Sequence, residues 1–597
     1  MQVKKRFQNT FDGIIKATNR YPLTFVLLLA AAVTSGIIIQ RDVDHYVQYL
    51  VTFLIGALLS VVAQQIYERF FTKESGRLLL MVGALVLAGA YFFAIYPDDT
   101  FNLETGIKTG VTVFALLMAF IWIPSIKSKM TFNESFMATF KAIFITFLFT
   151  GIIAGGISLI IFAVDNLLFS VANNTIPHTL NIVFTLFAPI FFLSFTPPYF
   201  GKKDTDLTTE QLTLREEKIQ RAVSCPNYLS ILISYIIIPL TALYTVILLA
   251  YILLNIGGDF WTKNLLEPLL VSYAITVIVV YILASHLDNK FAHFFRKVFP
   301  KVLIPIVLFQ TIASIVKISE MGITYGRYYV ILFGVFAIIA GIVFSFMPVR
   351  KNGLIVAVLL IFSVISIMPP VDAFTVSRTN QISLLKGTLL ENNMLENDTI
   401  LPNSTISNED KKVITQTIGY LENMGYTDEI DWLPSNVYYN NNFQETFGFT
   451  QVYDEVDDGL NQSQYAYLNW DSNPVVNIAD YQHMVHLNIH SSNDEYDSEQ
   501  VINIEHDGST YKILKSDNKN GVSSIRVMNE NEEELIQLDT QEIFTKILGQ
   551  YNGNEMSVEE ATITQENDKV KLSVIANSVD RYDDQYNADI YMFINIK

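Results

Sequence analysis

Five polar residues in this 597-residue sequence have the chemistry of a site at a membrane surface: Asp165, Glu320, Tyr325, Arg327 and Asp372. Each lies near the end of a long apolar run, on the side that we assign below to the outer face. Carboxylates and tyrosine can exchange protons with a substrate, and arginine can bind an anionic group. If the helix ends converge, these residues form a polar mouth that a lipid- or glycan-modifying envelope enzyme could use. The alternative is ordinary anchoring at the interface, with an ion pair between Glu320 and Arg327.

Three histidines, His483, His486 and His490, are the strongest candidates for a metal site. On a helix their spacing would place all three on one face and would suggest zinc. The alternating apolar residues between them predict a strand instead, which sends His483 to one face and the other two histidines to the opposite face. Two histidines without a cysteine or a well-placed carboxylate are a weak indication of zinc.

The acidic segment DEVDDG (454–459) resembles the start of a calcium-binding loop. Val456 occupies a ligand position of the EF-hand pattern, and Tyr465 stands where the pattern requires a glutamate. A solvated acidic surface is the better interpretation, both here and at 492–499 and 580–589. The sequence also lacks G-x-S-x-G, G-K-[ST], H-E-x-x-H and C-x-x-C. We therefore predict no catalytic residue, no metal site and no cofactor.

The composition divides the chain into two parts that suit different solvents. Residues 1–370 hold 27 basic and 19 acidic residues, whereas residues 371–597 hold 13 basic and 39 acidic residues. We predict a multi-span membrane domain at 1–370 and an acidic, extracytoplasmic α+β domain at 371–597. The net charge of −18 argues against a nucleic-acid partner. The single cysteine, Cys225, excludes a disulfide framework.

Eleven apolar runs are long enough to cross a bilayer as helices. They cover residues 22–40, 46–66, 78–96, 106–125, 137–164, 179–197, 229–256, 269–286, 302–318, 328–347 and 354–370. With the N-terminus inside, the inner segments hold 21 basic residues and the outer loops hold four. The positive-inside rule favours this orientation, which places the C-terminal domain outside.

Small residues and prolines inside the runs suggest how the helices pack. Gly151 and Gly155 form a GxxxG spacing, which favours close helix packing. Pro189, Pro239 and Pro305 lie inside runs and predict kinks. A broken-helix transport site is the alternative, although the sequence shows no internal repeat to support it. No carboxylate lies at a predicted mid-bilayer depth, so an ion relay is not apparent.

Two kinds of pattern follow Pro370. The stretch 407–424 predicts a helix capped by Ser407, with Ile414, Ile418 and Leu421 on one face and Gly425 at its end. The residues beyond it alternate apolar and polar side chains, with Asp507-Gly508 and Asn520-Gly521 as hairpin turns and a helix near 541–548. These features predict a mostly antiparallel α+β domain.

Four phrases near and after the last apolar run are distinctive: GITYGRYYVILFG (322–334), the exit PPVDAFTVSRTNQISLLKGTLLEN, GYLENMGY (419–426) and DWLP (431–434). They resemble the bacterial membrane family called domain of unknown function 4153. Together they suggest that the resemblance covers the chain from about the fifth run to the C-terminus. It implies a bacterial plasma-membrane location and lends no catalytic residues.

Three hypotheses on function follow. The first is a non-enzymatic membrane protein whose outer domain senses or binds an extracytoplasmic ligand or an envelope protein. The second is a transporter or lipid flippase, and the third is an envelope lipid- or glycan-modifying enzyme that uses the polar mouth. All three share the lipid bilayer as a partner.

Overall fold

The computed structural model describes residues 12–41, 46–95, 101–202, 204, 208–255, 267–434, 436–438, 440–452, 464–468, 475–491, 499–516, 524–550, 555–582 and 585–597. The chain forms two compact units, Met1–Tyr453 and Asp454–Lys597. The first unit therefore extends past the change in composition at residue 370. The predicted boundary at 370/371 separates residues expected in the membrane from residues expected in water, which is a different division from that between the two compact units. It stays a prediction.

Among the described residues of the first unit, eleven helices are long and apolar enough to cross a membrane, as the sequence predicts. We number them span 1 to span 11. Their bounds are Pro22–Arg41, Val47–Phe70, Glu74–Ile95, Leu103–Ser125, Phe132–Leu167, Thr175–Ser194, 227–255, Glu267–His286, Lys290–Met321, Tyr325–Phe346 and Gly353–Ile367. Each overlaps one predicted run, and span 9 begins earlier because the basic stretch before residue 302 is also helical.

Span 8 forms the centre of the bundle. Its Tyr273, Ala274 and Val277 are fully buried, and it packs against spans 7, 9 and 10. On other spans, large apolar side chains remain exposed, for example Phe147 at 78% and Leu254 at 84%. Such exposure suits a hydrocarbon environment, because lipid tails are as apolar as the side chains themselves.

Spans 6 and 7 each contain a π-helical turn that ends two residues before a proline. The turns are Ile182–Phe187 and Ile233–Ile237, and they precede Pro189 and Pro239. Proline has no N–H to donate and its ring clashes with the carbonyl four residues earlier, so a wider turn relieves the clash. Both spans continue as helices beyond the proline.

The GxxxG spacing of span 5 does not mark a helix contact. A Cβ built on Gly151 or Gly155 would meet no atom within 4 Å. The expectation of close packing at this spacing is therefore wrong for the part of the chain that the structure describes. Span 5 instead contacts its neighbours through other residues, including Phe132, Met137, Ala142 and Ala154, which are buried.

A short amphipathic helix, α1 (Thr209–Val223), lies between spans 6 and 7. The Thr208 side chain accepts a hydrogen bond from the Gln211 N–H, and the Gln211 side-chain oxygen accepts one from the Thr208 N–H, so the two residues form a capping box. Ile219 is buried against Met130 and Tyr199. The helix is thus fixed to the ends of neighbouring spans by its apolar face.

The residues after span 11 form a helical segment of the first unit that packs against spans 9 and 10, and we call it the juxtamembrane segment (373–452). It contains α2 (Ala373–Glu391), a small hairpin of β1 (Leu395–Glu396) and β2 (Thr399–Ile400), α3 (Asn408–Asn423) and α4 (Asn440–Phe447). Its own core consists of fully buried residues of all three helices, among them Leu385, Leu389, Ile414, Ile418, Leu421, Phe443 and Phe447.

The predicted helix at 407–424 is confirmed as α3. The Ser407 side chain accepts a hydrogen bond from the Asp410 N–H at 3.0 Å, which satisfies a backbone donor that the helix itself cannot pair. Gly425 follows the helix with a φ of +69°, the left-handed conformation that glycine adopts without strain.

The second unit is an α+β domain built mainly from antiparallel sheets, as predicted. One sheet has the order β4-β12-β11-β3-β9, with β10 paired to β11; the other has the order β5-β6-β7-β8. The strands are β3 (Gln464–Leu468), β4 (His483–Ser491), β5 (Glu499–His506), β6 (Ser509–Ser516), β7 (Ser524–Met528), β8 (Glu534–Asp539), β9 (Glu555–Met556), β10 (Thr562–Glu566), β11 (Val570–Tyr582) and β12 (Gln585–Ile596). Two helices, α5 (Thr540–Gln550) and α6 (Val558–Ala561), accompany them.

Turn chemistry explains part of this topology. Asp507 and Gly508 have positive φ angles of 49° and 81° and connect β5 to β6, as expected for a two-residue hairpin turn. The helix predicted near 541–548 is α5, and its Ile543, Phe544 and Ile547 are buried. The second predicted turn, Asn520-Gly521, lies outside the described residues.

Candidate functional site

Asp372 begins the first helix after the last span, and its side chain is completely buried. Its Oδ1 accepts hydrogen bonds from the backbone N–H groups of Phe374 and Thr375 at 3.1 and 3.2 Å. The carboxylate therefore caps α2. The same oxygen lies 3.2 Å from the Nζ of Lys108 in span 4. The cap and the ammonium group compensate for removing this charge from water.

Lys108 links Asp372 to a second carboxylate. Its Nζ donates a hydrogen bond at 2.7 Å to the Oε1 of Glu104, one turn earlier in span 4. The Oε2 of Glu104 accepts a hydrogen bond at 2.9 Å from the hydroxyl of Tyr426, which follows α3. The Lys108 Nζ also lies 5.5 Å from the ring centre of Phe374. We call Glu104, Lys108, Asp372, Phe374 and Tyr426 the Asp372 cluster.

Span 10 contacts the Asp372 cluster through aromatic rings. Tyr325, the first residue of that span, stacks on Phe374 with ring centres 5.4 Å apart and planes 19° from parallel. Its backbone N–H donates to the Tyr420 hydroxyl at 3.2 Å, and that hydroxyl donates to the Ser377 Oγ at 2.9 Å. Span 10, α2 and α3 therefore meet at one point.

The turn between spans 9 and 10 is held by α2. Gly322 in this turn has a φ of +69° and a ψ of −174°, a region that only glycine occupies readily. The Ile323 N–H donates to the Asn380 Oδ1 at 2.6 Å, and the Gln381 Nε2 donates to the Met321 carbonyl at 3.0 Å. A side chain at position 322 would collide with these two α2 residues, at 2.7 and 2.8 Å from its Cβ.

The residues of the predicted polar mouth have different surroundings. Tyr325 and Asp372 are brought together through Phe374, as described above. Arg327 donates to the Gly322 carbonyl at 2.9 Å and lies 3.4 Å from the Met321 sulfur, so it covers the end of span 9. Asp165 accepts a hydrogen bond at 2.7 Å from the Val171 N–H in the loop after span 5. The side chain of Glu320 lies outside the described residues, and the mouth as a functional site stays a prediction.

The electrostatics of the cluster favour fixed protonation states. Burial alone would raise the pKa of Asp372, but the hydrogen bonds from Thr375 and the Lys108 ammonium outweigh it and hold this pKa below its usual range. Burial and the Glu104 carboxylate raise the pKa of Tyr426 far above that of a free tyrosine. At neutral pH the carboxylate of Asp372 is therefore ionised and the Tyr426 hydroxyl keeps its proton to donate.

This arrangement suits mechanical connection better than catalysis. Asp372 exposes none of its surface, whereas Lys108 and Glu104 expose 24% and 27% of their side chains. A substrate could not reach the Asp372 carboxylate without displacing α2. The Oδ2 of Asp372 has no hydrogen-bond partner among the described residues, which makes the carboxylate dependent on the Lys108 ammonium for its stability.

The described residues contain no group of three or more metal-ligating side chains. His483 and His486 lie on β4, as the strand prediction requires, and their contacts differ: His483 packs edge-on against His506, and His486 pairs with Asp589 and stacks on Tyr591. The acidic segment 454–459 and most of 492–499 lie outside the described residues.

The family described as "Domain of unknown function (DUF4153)" matches residues 23–403. The chain belongs to DUF4153. Searches of curated proteins and of solved structures gave no match. The matched DUF4153 region begins at the second residue of span 1, contains spans 2 to 11 and the Asp372 cap, and ends within the juxtamembrane segment. The prediction that coverage starts near the fifth run and reaches the C-terminus is therefore wrong, and the phrases at 419–426 and 431–434 lie beyond the match.

Sequence reasoning missed most of the Asp372 cluster of this DUF4153 protein. It identified Asp372 and Tyr325, but not Glu104, Lys108 or Tyr426. One local signal was present, because Glu104 and Lys108 are four residues apart at the start of a helix and such pairs attract each other. The link from that pair to Asp372 and Tyr426 depends on the fold, since 264 and 322 residues of chain separate them.

Proposed function

We propose that this multi-pass membrane protein presents an extracytoplasmic domain that binds or senses a ligand, and that the Asp372 cluster couples that domain to the spans. The observation that supports this coupling is a set of contacts between span 4 and the juxtamembrane segment. It links Glu104 and Lys108 to Asp372 and Tyr426. A displacement of the juxtamembrane segment relative to span 4 would strain or break these contacts. Spans 4 and 10 would then receive the displacement directly.

The charge of the second unit supports a binding role and restricts the ligand. Residues 454–597 hold nine basic and 28 acidic residues, a net charge of −19. A field of this sign attracts cations and repels anions. The proposed ligand class is therefore cationic, such as a basic segment of an envelope protein.

The predicted orientation needs its own test, which starts from the protein with Cys225→Ser. One variant adds Glu559→Cys on α6, and a matched variant adds Lys218→Cys on α1; both native side chains are exposed. In intact cells a membrane-impermeant maleimide should label the first variant and not the second. Labelling of the Lys218→Cys variant alone would overturn the extracytoplasmic placement.

The coupling can be followed at the native thiol of Cys225, which lies between α1 and span 7 and is half-buried. The purified protein would be given Mg²⁺, Ca²⁺ or polylysine, with polyglutamate as the control of opposite charge. We expect a cationic probe to change the rate at which Cys225 reacts with a maleimide, and Lys108→Met to weaken this response. A probe that binds without changing this rate would contradict the coupling. The outer domain would then bind a ligand, and the spans would serve only to anchor it.

One observation favours transport as a second candidate function. Gln310 lies inside span 9, is 2% exposed, and neither its amide nitrogen nor its amide oxygen has a hydrogen-bond partner among the described residues. An unpaired amide inside a membrane bundle is costly, and the π-helical turns of spans 6 and 7 are a feature often found at functional sites. Vesicles containing the protein and a panel of ions and labelled lipids would test this. Flux that Gln310→Leu abolishes would support transport, and no flux above that of empty vesicles would exclude it.

A further inference from the structure

A basic pocket lies where span 8 ends and span 9 begins. It is an open cavity of about 490 Å³, and its lining includes Lys290, His293, Arg296 and Lys297 together with Asp288 and Phe294. Three permanent positive charges thus face one negative charge.

Helix geometry assembles these residues on one side of span 9. Asn289 caps the helix by accepting a hydrogen bond from the Ala292 N–H at 2.9 Å. Lys290, His293, Phe294 and Lys297 then follow at the spacing i, i+3, i+4 and i+7, which places them on one face.

Arg296 is fixed beside this face by the end of span 8. Its Nη1 donates to the carbonyl oxygens of Ala284 and Ser285 at 2.8 and 2.6 Å. Tethering of this kind reduces the conformational entropy that an arginine loses when it binds a ligand. The guanidinium is therefore held in position before any ligand arrives.

The pocket differs from the other basic residues on the same predicted face. Arg20 forms a two-pronged ion pair with Glu68, with contacts of 2.8 and 2.6 Å, and Arg215 pairs with Asp204. Within the described chain, by contrast, Lys290, Arg296 and Lys297 form no ion pair with a carboxylate. These three charges are therefore available to a negatively charged ligand.

The surroundings of the pocket point to a lipid as the source of that charge. Phe291 and Phe294 are 47% and 55% exposed beside the lysines, and the apolar part of span 9 follows within three turns. Aromatic rings next to basic side chains are typical of the boundary between headgroups and acyl chains. A free anion would use the charges and would gain nothing from the exposed rings.

We propose that this pocket binds the phosphate-bearing headgroup of an anionic phospholipid, with Lys290, Arg296 and Lys297 around the phosphate and Phe294 against the first part of an acyl chain. If the predicted orientation is correct, the lipid comes from the inner leaflet. The binding itself does not depend on that orientation, or on the proposed role of the outer domain.

Lipid binding can be measured on the full-length protein in micelles of a neutral detergent. Labelled phosphatidylglycerol would be titrated against wild type, the double variant Lys290→Gln/Lys297→Gln and the matched variant Lys218→Gln/Arg221→Gln, which removes two charges from α1. Each basic residue near an anionic headgroup contributes about 1 kcal/mol, so two should change affinity about thirtyfold. We expect that loss for the pocket variant, less than a threefold change for the α1 variant, and weak binding of phosphatidylcholine by all three.

Two further measurements separate a lipid from free phosphate. Phe294→Ser should weaken the binding of phosphatidylglycerol and leave the binding of inorganic phosphate unchanged, while millimolar phosphate should displace little of the lipid. Displacement of the lipid by phosphate at equal concentration would overturn the assignment of a lipid. Equal losses in the pocket and α1 variants, with unchanged melting temperatures, would show general charge attraction and overturn the pocket itself.

Discussion

The Asp372 cluster and the basic pocket use the same kinds of side chain in opposite ways. In the cluster, Lys108 lies between Glu104 and Asp372 and closes a path from span 4 to the juxtamembrane segment. In the pocket, Lys290 and Lys297 share a face with no carboxylate paired to them among the described residues. Paired charges under a helix cap hold elements together, whereas unpaired charges around a cavity require a partner from outside.

The largest expected effect is the loss of the ammonium group from the cluster. Lys108→Met leaves the Asp372 carboxylate buried with only its cap hydrogen bonds, and uncompensated buried charge is costly. We expect the free energy of unfolding to fall by about 3 kcal/mol, measured by thermal or chemical unfolding in detergent. Adding Asp372→Asn should recover part of this loss, because asparagine can cap α2 without carrying a charge.

The matched substitution in the pocket sharpens the contrast. Lys290→Met removes a lysine that forms no ion pair within the described chain, so the free energy of unfolding should change by less than about 0.5 kcal/mol. A loss as large as that of Lys108→Met would contradict the distinction between the two sites. The pocket lysines would then be structural.

The next effect concerns the turn that α2 holds. Gly322→Ala forces a side chain into a backbone region that favours glycine and against Asn380 and Gln381. We expect a loss of about 2 kcal/mol in the free energy of unfolding, from strain and displaced hydrogen bonds. Gly387→Ala is the control, since a Cβ there meets nothing within 4 Å and alanine favours the helix. Equal effects at both positions would show that α2 does not hold the turn.

Acid provides a smaller and reversible disturbance of the cluster. The pKa of Asp372 is lower in the folded protein than in the unfolded chain, where it is about 3.9. Its stabilising contribution is therefore complete above pH 4 and is lost as the pH falls through the folded-state pKa. Melting temperatures between pH 3 and pH 7 should drop less steeply for Asp372→Asn than for wild type. Parallel curves would mean that another carboxylate controls the acid response.

The sequence predicts the elements of this protein well because each depends on local chemistry. Apolar length fixes the eleven spans, and Ser407 with Gly425 fixes the ends of α3. The spacing of Gly151 and Gly155 is misleading because helix contacts are not local. Two glycines at this spacing permit another helix to approach closely, but whether one does depends on how the whole bundle packs. The same limit applies to the Asp372 cluster, because Lys108 and Asp372 are joined only when span 4 meets α2.

Among the contacts of the juxtamembrane segment, the smallest expected effect comes from a charge pair at the edge of the same region. Arg378 forms a 2.7 Å ion pair with Glu429 and lies over the ring of Tyr426, but the two charged side chains are 36% and 52% exposed. Water and salt screen such a pair, so Arg378→Met should lower the free energy of unfolding by less than about 1 kcal/mol. The loss should shrink further in high salt, whereas that of Lys108→Met should persist because Asp372 has no exposed surface. A salt-insensitive loss at Arg378 would extend the buried network to α2's outer face and make Glu429 part of the coupling path.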